Sequence, residues 1–193
     1  MNKDINQHML ELLEQAKHGA VLYDDLIDYI CEHSFMDEKE KEAFGFTGHV
    51  TSDVLNKLLE AENGAAGLAL ADWAVNHFAG ENTIDRKAFK RILSLKGRVG
   101  NSIIMGLDHA PLSFYQLFEL SKRKRSGMVL DILLPMLFEY DCFTVYDVEE
   151  VMENTKASIY SIKGALDFSS KYKDTEKYKV AERAYIEKAN KST

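Results

Sequence analysis

The stretch FTVYDVEEVMENTKASIYSIKGALDFSSKY, residues 143–172, decides how the rest of the chain is interpreted. Apolar side chains recur in it twice at the spacing of one helical face. The first set is Val145, Val148 and Met152, and the second is Ile159, Ile162 and Leu166. Four polar residues, 153–156, separate the two sets. The pattern predicts two short helices joined by a tight turn.

The residues at the helix ends support this prediction. Thr144 can accept a hydrogen bond from the first turn of the first helix, and Asp147 is an acid placed where the helix dipole favours one. Asn154 tolerates the left-handed backbone that a sharp turn needs, and Thr155 can cap the second helix. Two helices joined in this way form a helix-turn-helix, whose second helix can enter a DNA major groove.

Residues 144–164 resemble the helix-turn-helix of lac-repressor-type regulators. The run Thr144-Val145-Tyr146-Asp147-Val148 is similar to the opening of that motif, Ala157-Ser158-Ile159 to the start of its recognition helix, and Ile162 to a core position. The resemblance implies contact with duplex DNA through groups near the start of the second helix. They are Thr155, Lys156, Ser158, Tyr160, Ser161 and Lys163, with the two lysines on phosphates and Tyr160 and Ser161 on base edges or the sugar-phosphate backbone.

A second interpretation of the same stretch stays open. The first helix carries Asp147, Glu149, Glu150 and Glu153, and DNA repels such a face unless it points away. The alternative is two neighbouring helices of a bundle that bind no ligand.

Charge is distributed in bands along the chain. The net charge is −7, but residues 84–127 hold 10 Lys/Arg against 3 acids, whereas residues 128–154 hold 7 acids and no Lys/Arg. Arg86, Lys87, Lys90 and Arg91 fall on one side of a predicted helix. They are a second candidate surface, for phosphates or for an acidic protein. The alternative is a solvated face that balances the acidic N-terminal band.

Helical periodicity extends over most of the chain, with residues 65–79 apolar nearly all round, as in the central helix of a bundle. We therefore predict an all-α, compact multi-helix bundle of about ten helices. It forms one domain over residues 1–193, with a possible subdivision into 1–80 and 84–193.

Residues 44–50 are the only hint of a strand. Pro135 predicts a kink or an early helix end, residues 97–100 predict a turn before a helix at 101–108, and His77 is expected to be a core residue rather than a metal ligand.

Several classes of protein find no support in the sequence. The chain has no apolar run of 18 residues and no apolar N-terminal segment, so we expect neither a membrane span nor a signal peptide. Cys31 and Cys142 are far apart, which favours reduced, buried thiols in a cytoplasmic protein. No catalytic, nucleotide-binding or zinc-binding motif is present, so we expect a non-enzymatic protein without metal or cofactor.

Two functions are compatible with these observations. The first is a DNA-binding or regulatory protein that uses the helix-turn-helix, with help from basic residues at 86–98 and 122–125. The second is an adaptor or inhibitor that presents an acidic surface, from residues 24–42 or 139–153, to a basic protein partner.

Overall fold

A computed structural model describes residues 3–17, 20–33, 38–43, 46–107, 110–122 and 130–191. Within these ranges the chain forms twelve α-helices and two strands of two residues each, so the predicted all-α fold is confirmed. The helices are α1 (Ile5–Ala16), α2 (Ala20–His33), α3 (Glu38–Ala43), α4 (Ser52–Leu59), α5 (Gly64–His77), α6 (Arg86–Ser94), α7 (Gly97–Gly106), α8 (Phe114–Ser121), α9 (Leu130–Phe138), α10 (Val145–Asn154), α11 (Ile159–Phe168) and α12 (Glu176–Lys191). None of them is long and apolar enough to cross a membrane.

The chain divides into two compact units, residues 1–111 and residues 112–193. The first unit contains α1 to α7, and the second contains α8 to α12. This division lies about 30 residues beyond the subdivision suggested by composition. A single domain over residues 1–193 stays a prediction.

Helix α5 is the central helix of the first unit, as its apolar sequence predicts. It packs against α1, α2, α4 and α7, and most of its side chains are buried. A side chain at Gly67 would collide with the backbone carbonyl of Leu58, so glycine is required where α4 approaches α5.

An aromatic cluster closes one side of this core. The Trp73 ring lies edge-on to Phe78, with ring centres 5.2 Å apart, and to Phe46 at 5.8 Å. His77 is next to this cluster in sequence but is only half-buried. Burial and then the nearby charge of Lys41 lower the pKa of His77, which favours its neutral form. Among the described residues no group of His, Cys, Asp and Glu could hold a metal ion.

The strand predicted near residues 44–50 is present in part. Strand β1 (Lys3–Asp4) pairs in parallel with β2 (Phe46–Thr47). Phe44 and Gly45, which the prediction included, lie outside the described residues. The pair is short because the chain enters α1 at Ile5, where the Asp4 side chain accepts a hydrogen bond from the backbone N–H of Asn6.

The core of the second unit is built on α9 and α11. Helix α11 packs against α9 and α12, α10 against α12, and α8 against α9. Phe138 and Phe143 are buried edge-to-face with ring centres 5.7 Å apart. Asp131 of α9 lies beside Gly164 of α11, and its buried Oδ1 has no hydrogen-bond partner among the described residues.

Three local predictions require correction. Of the two outcomes predicted for Pro135, a kink or an early end, the early end does not occur: helix α9 passes through Pro135 and ends at Phe138, because burial of the surrounding apolar side chains offsets one missing backbone hydrogen bond. Helix α7 begins at Gly97, not at residue 101, since Gly97 adopts a φ of 84° that allows the chain to turn directly into the helix. Cys31 and Cys142 are both free, as expected, but exposed rather than buried.

Candidate nucleic-acid interface

Helix α6 separates its cations from its apolar side chains. Arg86, Lys87, Lys90 and Arg91 are all exposed, whereas the other side of the helix is buried. Successive helical residues are rotated by about 100°, so the four cations lie within an arc of roughly 140°. The buried residues of the opposite arc are Ala88, Phe89, Ile92 and Leu93.

The start of α6 is held in place by its cap. The Asp85 carboxylate accepts a hydrogen bond of 2.7 Å from the backbone N–H of Ala88 and another of 3.1 Å from the Asn56 side chain of α4. Asp85 directly before a basic amphipathic helix is a start signal that is recognisable from the sequence. The cap and the buried side chains together fix which side of α6 faces the solvent.

Two further exposed cations follow α6 in sequence. Lys96 is the N-cap of α7, and Arg98 lies in the first turn of that helix. We call the set Arg86, Lys87, Lys90, Arg91, Lys96 and Arg98 the cationic face. Lys87 forms an exposed ion pair of 3.0 Å with Glu60. The other five cations form no ion pair with any residue that the structure describes, so most of the positive charge of the surface is not neutralised.

The predicted helix-turn-helix stretch does form two helices, α10 and α11. Thr144 and Asp147 form a reciprocal cap: the Thr144 backbone N–H donates to the Asp147 carboxylate at 2.7 Å, and the Asp147 N–H donates to the Thr144 hydroxyl at 3.3 Å. The apolar residues Val148, Met152, Ile162 and Leu166 are buried, as their spacing predicts, whereas Val145 and Ile159, the first residue of each set, are only half-buried.

The turn between these helices differs from the predicted one. Asn154 remains helical, and its side chain donates to the Glu150 carbonyl at 2.8 Å, so no left-handed residue makes the turn. Ser158, not Thr155, caps α11 and accepts from the N–H of Ser161 at 3.1 Å. Thr155 is only 3% exposed, and we therefore remove it from the candidate DNA contacts.

The remaining candidate residues at the start of α11 are accessible to different degrees. Lys156, Ser158 and Lys163 are exposed, and Tyr160 is 88% exposed. Ser161 is half-buried, and its hydroxyl oxygen accepts a hydrogen bond of 3.2 Å from the Ser158 hydroxyl. These residues belong to the second unit, whereas the cationic face belongs to the first.

Each helix of the pair has its own main packing partner. Helix α10 packs chiefly on α12 and α11 chiefly on α9. Lys188 of α12 donates to the Thr155 carbonyl at 3.1 Å, where a cation complements the C-terminal end of the α10 dipole. Burial, and secondly the charge of Lys191, lower the pKa of Lys188.

The acids of α10 are partly balanced within the second unit. Lys122 lies 3.0 Å from Glu150 and 2.7 Å from Glu119. Burial alone would lower the pKa of Lys122, but the hydrogen bonds to these two carboxylates raise it above its usual value. Glu149 and Glu153 remain exposed and form no ion pair with a described residue.

Comparison with known proteins adds no further constraint. No protein-family model, no curated protein and no solved structure matches this chain.

Proposed function

We propose that the protein is a non-enzymatic, nucleic-acid-binding regulatory protein that contacts phosphates of duplex DNA through the cationic face. The observation that supports this proposal is the set of five exposed cations that form no ion pair with a described residue. They are Arg86, Lys90, Arg91, Lys96 and Arg98. A cytoplasmic location fits the two free thiols at Cys31 and Cys142.

The physical basis of the proposal is local rather than global charge. Neighbouring cations on one helix repel each other, and a polyanion that lies along them relieves that repulsion and releases counterions. Because α6 is fixed by its cap and its buried side, Arg86, Lys90 and Arg91 are held on one side of that helix. The net charge of −7 opposes non-specific binding elsewhere on the protein.

Helix α11 is a second proposed contact. Lys156 and Lys163 carry the charge, and Tyr160 supplies an exposed ring with a hydroxyl group that can donate or accept. The relation to helix-turn-helix regulators is part of this proposal. If α10 and α11 act as a helix-turn-helix, the turn between them consists of the four residues 155–158.

The test is a fluorescence-anisotropy titration of random-sequence duplex DNA at several salt concentrations. We expect salt-sensitive binding that is weakened by the triple change Arg86→Gln, Lys90→Gln and Arg91→Gln. Each phosphate contact contributes about 0.9 to the slope of log K against log salt, so the slope should decrease by up to roughly 2.7.

The matched control changes three cations of the same unit that lie outside the cationic face. Lys17→Gln, Lys39→Gln and Lys57→Gln remove the same charge from other parts of the unit, and binding should remain close to that of the wild type. If the wild-type protein does not bind DNA even at low salt, or if both triple variants weaken binding equally, the proposal is wrong.

The acidic surface of α2 supports a second candidate function. Asp24, Asp25, Asp28 and Glu32 are exposed on that helix and form no ion pair with a described residue. The second candidate is an adaptor or inhibitor whose α2 surface binds a basic protein.

A further inference from the structure

A groove of about 530 Å³ runs between α10 and α12 in the second unit. Its floor is apolar and contains Met152, Val180 and Ala184. Glu149 and Glu153 form the rim on α10, and Arg183, Glu187, Lys188 and Lys191 form the rim on α12.

The two helices that form the groove run parallel to each other. Lys177, near the start of α12, donates to the Tyr140 carbonyl before α10 at 3.2 Å. Lys188, near the end of α12, donates to the Thr155 carbonyl after α10 at 3.1 Å. The groove therefore follows α12 for about three turns, from Val180 to Lys191, beside roughly one turn of α10, and can accept an elongated element.

Helix α12 is poorly covered for its length. It has 16 residues, but only Val180 and Ala181 are buried, and none is buried from Glu182 onwards. Helices of this length are marginal in water without tertiary packing of one face. The last ten residues of α12 are therefore the part of the second unit that most needs a packing partner.

Charge is separated across the groove. The α10 rim is acidic, and neither Glu149 nor Glu153 forms an ion pair with a described residue. The α12 rim is mainly cationic; Lys191 forms no described ion pair, and Arg183 forms one exposed pair of 3.2 Å with Glu176. A partner whose contact surface carries only positive or only negative charge would be repelled by one of the two rims. A partner whose surface carries positive and negative charge on separate sides would be attracted by both rims.

We propose that a second copy of this chain occupies the groove and that the protein forms a two-fold symmetric dimer through α10 and α12. A two-fold interface uses the same patch on both copies, so the patch must be complementary to itself. With the two-fold axis parallel to the groove, the α12 helix of each copy lies opposite the α10 helix of the other. Arg183 and Lys191 of each copy then approach Glu149 and Glu153 of the other. The apolar floor is narrow, so the association depends on charge and weakens with salt. The dimer is independent of nucleic-acid binding, which uses other residues.

The test measures self-association of the full chain by analytical ultracentrifugation, over a range of concentrations and at low and high salt. One variant carries Glu149→Lys and Glu153→Lys, and the other carries Arg183→Glu and Lys191→Glu. Like charges then face each other across the interface, so each variant alone should dissociate at least roughly a hundredfold more readily than the wild type. An equimolar mixture of the two should form a dimer, because both sets of contacts then join opposite charges.

Control pairs outside the groove keep the same changes in net charge. Asp141→Lys with Asp167→Lys, and Lys173→Glu with Lys179→Glu, should dimerise like the wild type. A wild type that is monomeric at low salt and high concentration overturns the proposal, and so does a mixture that fails to associate. If a reversal variant loses its helical circular dichroism, Glu149→Gln with Glu153→Gln replaces it and should still weaken association; unchanged association would reject the dimer.

Discussion

At Asp72, burial and hydrogen bonding act in opposite directions on one carboxyl group. Asp72 lies on α5 and accepts hydrogen bonds of 3.0 Å from the Ser102 hydroxyl of α7 and from the Asn76 side chain. Burial raises the pKa of Asp72 above its ordinary value of 3.8, although both hydrogen bonds lower it in part. The free energy lost by desolvating the Asp72 carboxylate is therefore larger than the free energy gained from these two hydrogen bonds.

The raised pKa of Asp72 predicts a specific pH dependence of stability. The folded state holds the proton more tightly than the unfolded state, so the contribution of Asp72 favours folding at low pH. This contribution is lost as the pH rises from about the unfolded value through the folded pKa. Asp72→Asn cannot ionise and keeps an acceptor for Ser102. Its free energy of unfolding relative to wild type should therefore increase with pH over this window, as urea denaturation at a series of pH values would measure.

The control for this prediction is Asp24→Asn, which removes an exposed carboxyl group of the same unit. If the difference between Asp72→Asn and wild type is constant with pH, the carboxyl group does not titrate as burial predicts.

At the scale of elements, the local signals in residues 143–172 predicted the helices better than the turn. The Thr144–Asp147 cap and the buried apolar residues depend on neighbours within one or two turns, and these predictions are confirmed. The turn differs because Asn154 has a local partner in the Glu150 carbonyl and Thr155 is held against α12 by Lys188. Both contacts favour a longer α10 and leave Ser158 to cap α11.

The exposed start of α11 carries the second prediction on nucleic-acid binding. Lys156→Gln with Lys163→Gln should lower the salt slope of duplex binding by up to roughly 1.8, since each lysine is proposed to contact one phosphate. Tyr160→Ala should weaken binding while leaving the free energy of unfolding within about 0.5 kcal/mol of wild type, because the ring is exposed.

Lys173→Gln with Lys179→Gln is the matched control for the two lysines of α11. Equal effects of the two pairs would mean that the charge of the second unit matters but the position of α11 does not. Loss of binding only with the α6 triple variant would confine the interface to the first unit.

At the scale of the whole molecule, the two units differ in charge. Residues 1–111 contain 18 acids and 11 Lys/Arg, whereas residues 112–193 contain 13 of each. The first unit thus carries the entire net negative charge together with the cationic face. Such a unit can bind partners of either sign on different surfaces, so removing acids from α2 should affect the binding of a basic peptide and the binding of DNA differently.

The acidic α2 surface is tested with a basic peptide such as polylysine in place of DNA. Asp24→Asn, Asp25→Asn and Asp28→Asn should weaken peptide binding strongly and leave DNA binding unchanged or slightly tighter, because a repulsive field is removed. The control, Asp53→Asn with Glu62→Gln and Glu81→Gln, removes equal charge from other parts of the unit. If both acidic triple variants bind the peptide like the wild type, the second candidate function is wrong.

The sequence by itself determined the all-α class, the central position of α5 and the basic side of α6. Each of these depends on periodicity or on charge within one segment, and a helix separates such residues by its own geometry. Tertiary structure alone decided that Thr155 is buried, that α9 passes through Pro135 and that α10 and α12 enclose a groove. These features arise from contacts between segments that are distant in sequence, such as Lys188 with Thr155, which no local pattern encodes.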